Sequence, residues 1–108
     1  MTDTQQLLDL ALTIAKKAGD LLIDRPASWD LTVKSTAIDI ATQMDHASEK
    51  LIVESILAAR PDDGIIGEEG ASRESKSGVT WVIDPVDGTV NYFYGIPGWA
   101  VSIAAKDE

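Results

Sequence analysis

The sequence predicts an α/β fold, and three observations carry that prediction. Residues 4 to 24 place apolar side chains at three-to-four spacing, and residues 45 to 60 repeat the pattern. Two short apolar runs follow: Ile65-Ile66, which leads through Gly67 to Glu68, and Trp81-Val82-Ile83, which runs straight into Asp84. Helical periods followed by short strand-like runs are the pattern of helices layered on a sheet.

The first helix is predicted over residues 4 to 24, with Leu7, Leu10, Ala11, Ile14, Ala15, Ala18, Leu21 and Leu22 on its core face. Thr2 and Gln5 have capping-box spacing, and Pro26 ends the run. Residues 31 to 42 are rich in β-branched types and alternate loosely, which predicts a strand pair or bent ribbon. A second helix is predicted over 45 to 60, with Asp45 as N-cap, Ala47, Leu51, Ile52, Ile56 and Ala59 facing inward, and Pro61 as the stop. Asp62-Asp63-Gly64 reads as a turn and Ile65-Ile66 as a buried strand. Residues 71 to 79 read as a polar surface loop, with a flap over the acids as the functional alternative. Trp81 to Ile83 is a strand, Thr89 to Tyr94 a short helix, and Trp99 to Ala105 a final strand. A strand of that kind at residue 105 predicts that the chain is the N-terminal part of a larger fold. Trp29, Trp81 and Trp99 are assigned to the core or the sheet, and His46 to an exposed position beside Asp45.

The chain has 108 residues, a hydrophobic fraction of 44% and a formal net charge of −9. That length supports one small domain with a core. The acidity excludes nucleic acid and anionic membrane surfaces as expected partners, since both require clustered Lys and Arg. No cysteine is present, so disulfides and thiolate metal sites are excluded. With no signal-peptide pattern and no long apolar run, the expected location is cytoplasmic.

The chemistry concentrates in "IDPVDGT", residues 83 to 89. Asp84 and Asp87 follow a strand that looks buried, where unpaired charges repel and lose hydration. Glu68 follows the other short strand. If the two strands are neighbours, all three carboxylates emerge at one sheet end, the place where α/β folds bind ligands. Clustered hard oxygen donors suit Mg²⁺, Mn²⁺ or Ca²⁺. The carbonyl of Val86 is a further oxygen, and a helix starting at Gly88-Thr89 would aim N–H groups at a phosphate. No Lys or Arg occurs between Trp81 and Ala105 to do that work instead. An EF-hand loop is excluded because its twelfth position would be Gly95, and the spacing is one residue too long for an aspartyl-nucleophile D-x-D-x-T phosphatase. Taken alone, D-P-x-D-G-T also fits a turn with two caps; Glu68 after a second strand argues for the metal.

"GEEG" (67 to 70), "WVIDPVDGTVNYFYGIPGWAVSIA" (81 to 104) and "KSTAIDIATQMDHASEK" (34 to 50) resemble the signatures of the inositol monophosphatase family, Mg²⁺-dependent, lithium-sensitive phosphatases. The tyrosine-rich stretch after Val90 resembles its actinobacterial branch. The resemblance implies an α/β layered sandwich of the sugar-phosphatase type, αβαβα, of which these residues are the N-terminal half: two helices and a mostly antiparallel sheet. It implies that Glu68, Asp84 and the Val86 carbonyl hold a first Mg²⁺, that Asp84 and Asp87 hold a second, and that Glu68 also helps place a further, looser metal-bound water. Gly88 and Thr89 would bind the phosphate, with Glu68, Val86 and Asp87 around the substrate. Asp45 and the Thr89 hydroxyl would orient and deprotonate the attacking water, with Lys34 as a nearby positive group. The implied substrate is a small phosphorylated sugar or polyol, with inositol monophosphate first. Fructose 1,6-bisphosphate, histidinol phosphate and a 3′-phosphoadenosine nucleotide are the alternatives. Mn²⁺ could replace Mg²⁺, and a homodimer is among the states the family allows. A further aspartate of the family's second metal site lies outside these residues, so the chain alone is expected to be inactive or nearly so, or a remnant that only binds metal or a partner.

Overall fold

The computed structural model describes residues 3–23, 37–68, 70–88 and 98–107, and the side chains of all of these except 37–42 and 107. The order is helix α1 (Thr4–Ile23), helix α2 (Ala37–Ala59), then strands β1 (Gly64–Gly67), β2 (Ser72–Arg73), β3 (Val79–Asp87) and β4 (Ala100–Asp107). The strands form one sheet in the order β2-β1-β3-β4. β1 runs parallel to β3, while the β1–β2 and β3–β4 pairs are antiparallel. Both helices pack on the sheet, α1 over β4 and α2 over β3.

Helix α1 matches its expected bounds to one residue, and its eight assigned core-face residues are all buried or half-buried. Its cap is Asp3, whose Oδ1 accepts a hydrogen bond from the Gln5 backbone at 2.9 Å. Thr2 and Pro26 lie outside the described residues.

Helix α2 corrects two expectations. It begins at Ala37, so residues 37 to 42 are helical and not ribbon, and Asp45 sits inside the helix, 7% exposed, rather than capping it. Residues 31 to 36 lie outside the described set. β-branched residues cost a helix only a few tenths of a kcal/mol each. Positions 38, 41, 45, 48, 52 and 56 continue one three-to-four pattern that outweighs them. Ala47 and Ala59 are exposed rather than inward. Arg60 donates the last helical hydrogen bond, to the Ile56 carbonyl at 2.7 Å, and Pro61 has no N–H to continue the series.

The main core joins Ile14 and Ala18 of α1, Ile52 and Ile56 of α2, and Ile65, Val79, Trp81 and Ile83 of the sheet. A smaller cluster, Leu22 and Val86 with Met44, Trp99 and Val101 around them, lies under the far end of β3. The opposite sheet face is open: Ile66 is 49% and Val82 41% exposed, and the two are register partners. Within the segment read as a loop, Ser72 and Arg73 pair with β1, and every residue from 71 to 77 is exposed or half-exposed. His46 is exposed, Trp81 is fully buried and Trp99 is half-buried. Trp29 and the short helix expected at 89 to 94 lie outside the described residues. Among the described residues, no helix is long and apolar enough to cross a membrane.

Candidate metal and phosphate site

The parallel pairing of β1 with β3 sets Gly67 beside Ile83. The Glu68 N–H then donates to the Ile83 carbonyl at 3.2 Å, which carries the ladder one step past the strand. Glu68 and Asp84 therefore leave neighbouring strands at the same sheet end, as the sequence predicts.

β3 does not stop at Ile83. It continues to Asp87, with a register shift between Asp84 and Asp87. Asp84 faces Ser102 and Asp87 faces Ala100, so Pro85 and Val86 together oppose Val101 alone. This is a β-bulge, with two residues against one. In a regular strand, residues three apart point to opposite faces. The extra residue restores phase, so Asp84 and Asp87 share a face, while Pro85 and Val86 both turn inward and are buried.

The charges feel one another. Burial first, then the carboxylates of Glu68 and Asp87, push the Asp84 carboxyl above its ordinary pKa, while a hydrogen bond from the Val86 backbone N–H works against them. Among the described residues, no three His, Asp or Glu side chains stand in positions to hold a metal ion as they are. The acids share a neighbourhood, and a cation would have to draw them together.

Helix α2 closes the site from the core side. Asp45, Ser48 and Glu49 lie on one buried face of it, at spacings of three and four. The Ser48 hydroxyl donates to the Pro85 carbonyl at 2.9 Å. Glu49 reaches Gly67, where a Cβ would stand on Glu49 Oε1, a buried oxygen without a hydrogen-bond partner among the described residues. Ser48 and Glu49 were not singled out from the sequence, although their spacing from Asp45 was available. Gly88 has φ +80°, and a Cβ on it would lie 2.5 Å from the Gly98 carbonyl oxygen. Its need for glycine is therefore met first by a neighbouring strand end. Thr89 and Lys34 lie outside the described residues.

Two helices on a mixed sheet, with Glu68 and Asp84 leaving one end of a parallel strand pair, make this an α/β layered fold. The chain belongs to the inositol monophosphatase family, whose model matches residues 3–108. It is 42% identical over 104 residues to the Nus factor SuhB of Pasteurella multocida, covering 93% of this chain and 39% of that protein. It is 42% identical over 102 residues to the histidinol-phosphatase of Chlorobaculum parvum, covering 94% of this chain and 39% of that protein. Among solved structures, the inositol monophosphatase from Anabaena (Nostoc) sp. PCC 7120 superposes with a TM-score of 0.78 at 31% identity, covering 98% of this chain and 37% of that one. The chain thus spans about two-fifths of the length of the relatives it matches.

Proposed function

We propose that these residues are the N-terminal part of an inositol monophosphatase-like domain and carry the metal- and phosphate-binding side of a phosphomonoesterase site. The observation that carries the reading is the bulge, which brings Asp84 and Asp87 to one face beside Glu68 in a segment with no Lys or Arg. Such a donor set fits Mg²⁺, with Mn²⁺ as substitute, because every ligand on offer is a hard oxygen and the cluster lacks positive charge.

Glu68, Asp84 and the Val86 carbonyl would hold a first ion, and Asp84 and Asp87 a second. When bound, the ions lower the pKa of the attacking water and stabilise the charge of the phosphoryl group. The chain's own groups do the rest. Gly88 and Thr89 N–H groups hold the phosphate oxygens. Asp45, buried on α2, receives the water's proton through the Thr89 hydroxyl. Inositol monophosphate is the proposed substrate. Histidinol phosphate is the second reading, favoured by the relative of that name. The proposal places the protein in the cytoplasm, with no nucleic acid or membrane among its partners.

The test measures thermal unfolding of the chain with Mg²⁺ and with EDTA, and phosphate release from inositol 1-phosphate and from histidinol phosphate. Mg²⁺ should raise the wild-type melting temperature and leave Asp84→Asn unmoved. Equal Mg²⁺ stabilisation of both chains, or of neither, overturns the metal site. Release from one ester over the other assigns the substrate. Metal binding without release identifies a chain that holds the ions but depends on residues beyond these 108 for turnover.

A further inference from the structure

Ser48 lies on a helix, 37 residues from the strand it touches, and is fully buried. A helical serine ordinarily returns its hydroxyl to a carbonyl one turn back. Here the hydroxyl donates to Pro85 instead, at 2.9 Å. The carbonyl of Pro85 and the N–H of Val86 belong to one planar peptide unit. That N–H is the one that hydrogen-bonds Asp84. Rotating the plane would break both bonds together. Pro85 has no N–H of its own, and a bulge leaves this stretch without regular ladder partners.

We infer that Ser48 is a positioning residue: through the Pro85–Val86 peptide it fixes the direction of the Asp84 carboxylate, and so the affinity of the site for a divalent cation. The inference rests on the metal site proposed above. Two bonds at opposite ends of one peptide also polarise each other, so the N–H that meets Asp84 is the stronger donor for having Ser48 behind it. Outer partners of this kind typically change metal affinity by about 10- to 100-fold when removed.

The test titrates Mn²⁺ into the chain and reads free Mn²⁺ by electron paramagnetic resonance. Ser48→Ala should weaken binding about tenfold. Ser48→Thr and Ser48→Val form a matched pair of nearly one shape, and only the first keeps the hydroxyl, so the first should bind more tightly than the second. Ile56→Val, a core change away from the bulge, should lower stability and leave Mn²⁺ affinity alone, which separates positioning from loss of fold. Equal Mn²⁺ affinity in the Thr and Val variants overturns the inference, as does an affinity loss in Ile56→Val that matches Ser48→Ala. Asp84→Asn distinguishes the two levels. If it binds Mn²⁺ as wild type does, the metal site itself is wrong and the inference falls with it. If it loses binding while Ser48→Ala keeps it, only the role of Ser48 is wrong.

Discussion

Asp63 offers the sharpest test of how the end of the sheet opposite the acids is held. It is 1% exposed, yet three donors converge on it: the Arg60 Nε, the Ser77 hydroxyl at 2.6 Å and the Trp81 indole N–H at 2.8 Å. Burial pushes the Asp63 carboxyl up, but the hydrogen bonds from Arg60, Ser77 and Trp81 and the Arg60 charge outweigh it, so its pKa lies below the ordinary value. Asp63→Ala strands these donors unequally. Arg60 and Ser77 are partly exposed and can turn to water. Trp81 is 0% exposed, so its N–H is left without a partner at about 1–3 kcal/mol. Adding roughly 1 kcal/mol for each of the other two bonds, the variant should lose about 3–5 kcal/mol, a large share of the roughly 5–15 kcal/mol that stabilises a domain.

The assay is urea unfolding followed by far-UV circular dichroism. Trp81→Phe alone should cost about 1–2 kcal/mol. In the double variant the stranded donor is gone, so the combined loss should fall short of the sum by at least 1 kcal/mol. The pH dependence follows the direction of the shift. With a depressed folded-state pKa, the Asp63 contribution is complete above the ordinary aspartate value of about 3.9 and is lost as pH falls through the lower folded value. The gap between wild type and Asp63→Ala should therefore be constant from pH 7 to about 5 and shrink below that. Additive costs in the double variant, or a gap that widens in acid, would refute the network as the source of the stability.

Two glycines give further tests. Gly67→Ala places a methyl on Glu49 Oε1 and 3.1 Å from the Ala71 Cβ; it should displace the Glu68 turn and weaken Mg²⁺-dependent stabilisation at least tenfold in Mg²⁺ concentration, on the order of the outer-partner effects on metal sites. A melting curve against Mg²⁺ reads it, and an unchanged midpoint would show that the helix yields to the methyl. Gly88→Ala meets both a positive φ and the Gly98 carbonyl, so it should cost about 2–4 kcal/mol in urea unfolding even without metal, where a strain-free site would show less than 1.

What the sequence disclosed and what it withheld divide along one physical line. Helix α1 was legible because its signal is local: eight apolar residues at one period. The convergence of Glu68 with Asp84 was legible because two strand-like runs each ended in an acid. The start of α2 was misread because the β-branched residues Ile38, Ile40 and Thr42 satisfy a period of two as well as a helix. Asp63 read as part of a turn over Asp62-Asp63-Gly64; the turn instead spans residues 60 to 63, closed by the Asp63 N–H on the Arg60 carbonyl at 3.3 Å, and Gly64 already belongs to β1. That the Asp63 carboxylate is buried depends on Trp81, which lies 18 residues on. Ser48 and Glu49 were overlooked because a serine and a glutamate in an acidic helix carry no local signal of burial. Their meaning comes from Pro85 and Gly67, which only the fold brings to them.

The bulge shows how such a gap can be narrowed. The apolar run Trp81-Val82-Ile83 predicts a strand that ends where Asp84 begins. The structure keeps the strand and changes its phase. Odd spacing was the available clue. Two carboxylates three residues apart can meet on one face of a strand only if one residue is added between them, and a proline, having no N–H to lose from the ladder, is tolerated there. The bulge also turns the buried Pro85 toward α2, where its carbonyl meets a donor. A hydroxyl on the helix above supplies it. If Asp84 and Asp87 face one ion, the spacing that demands the bulge also sets the Pro85 carbonyl against Ser48.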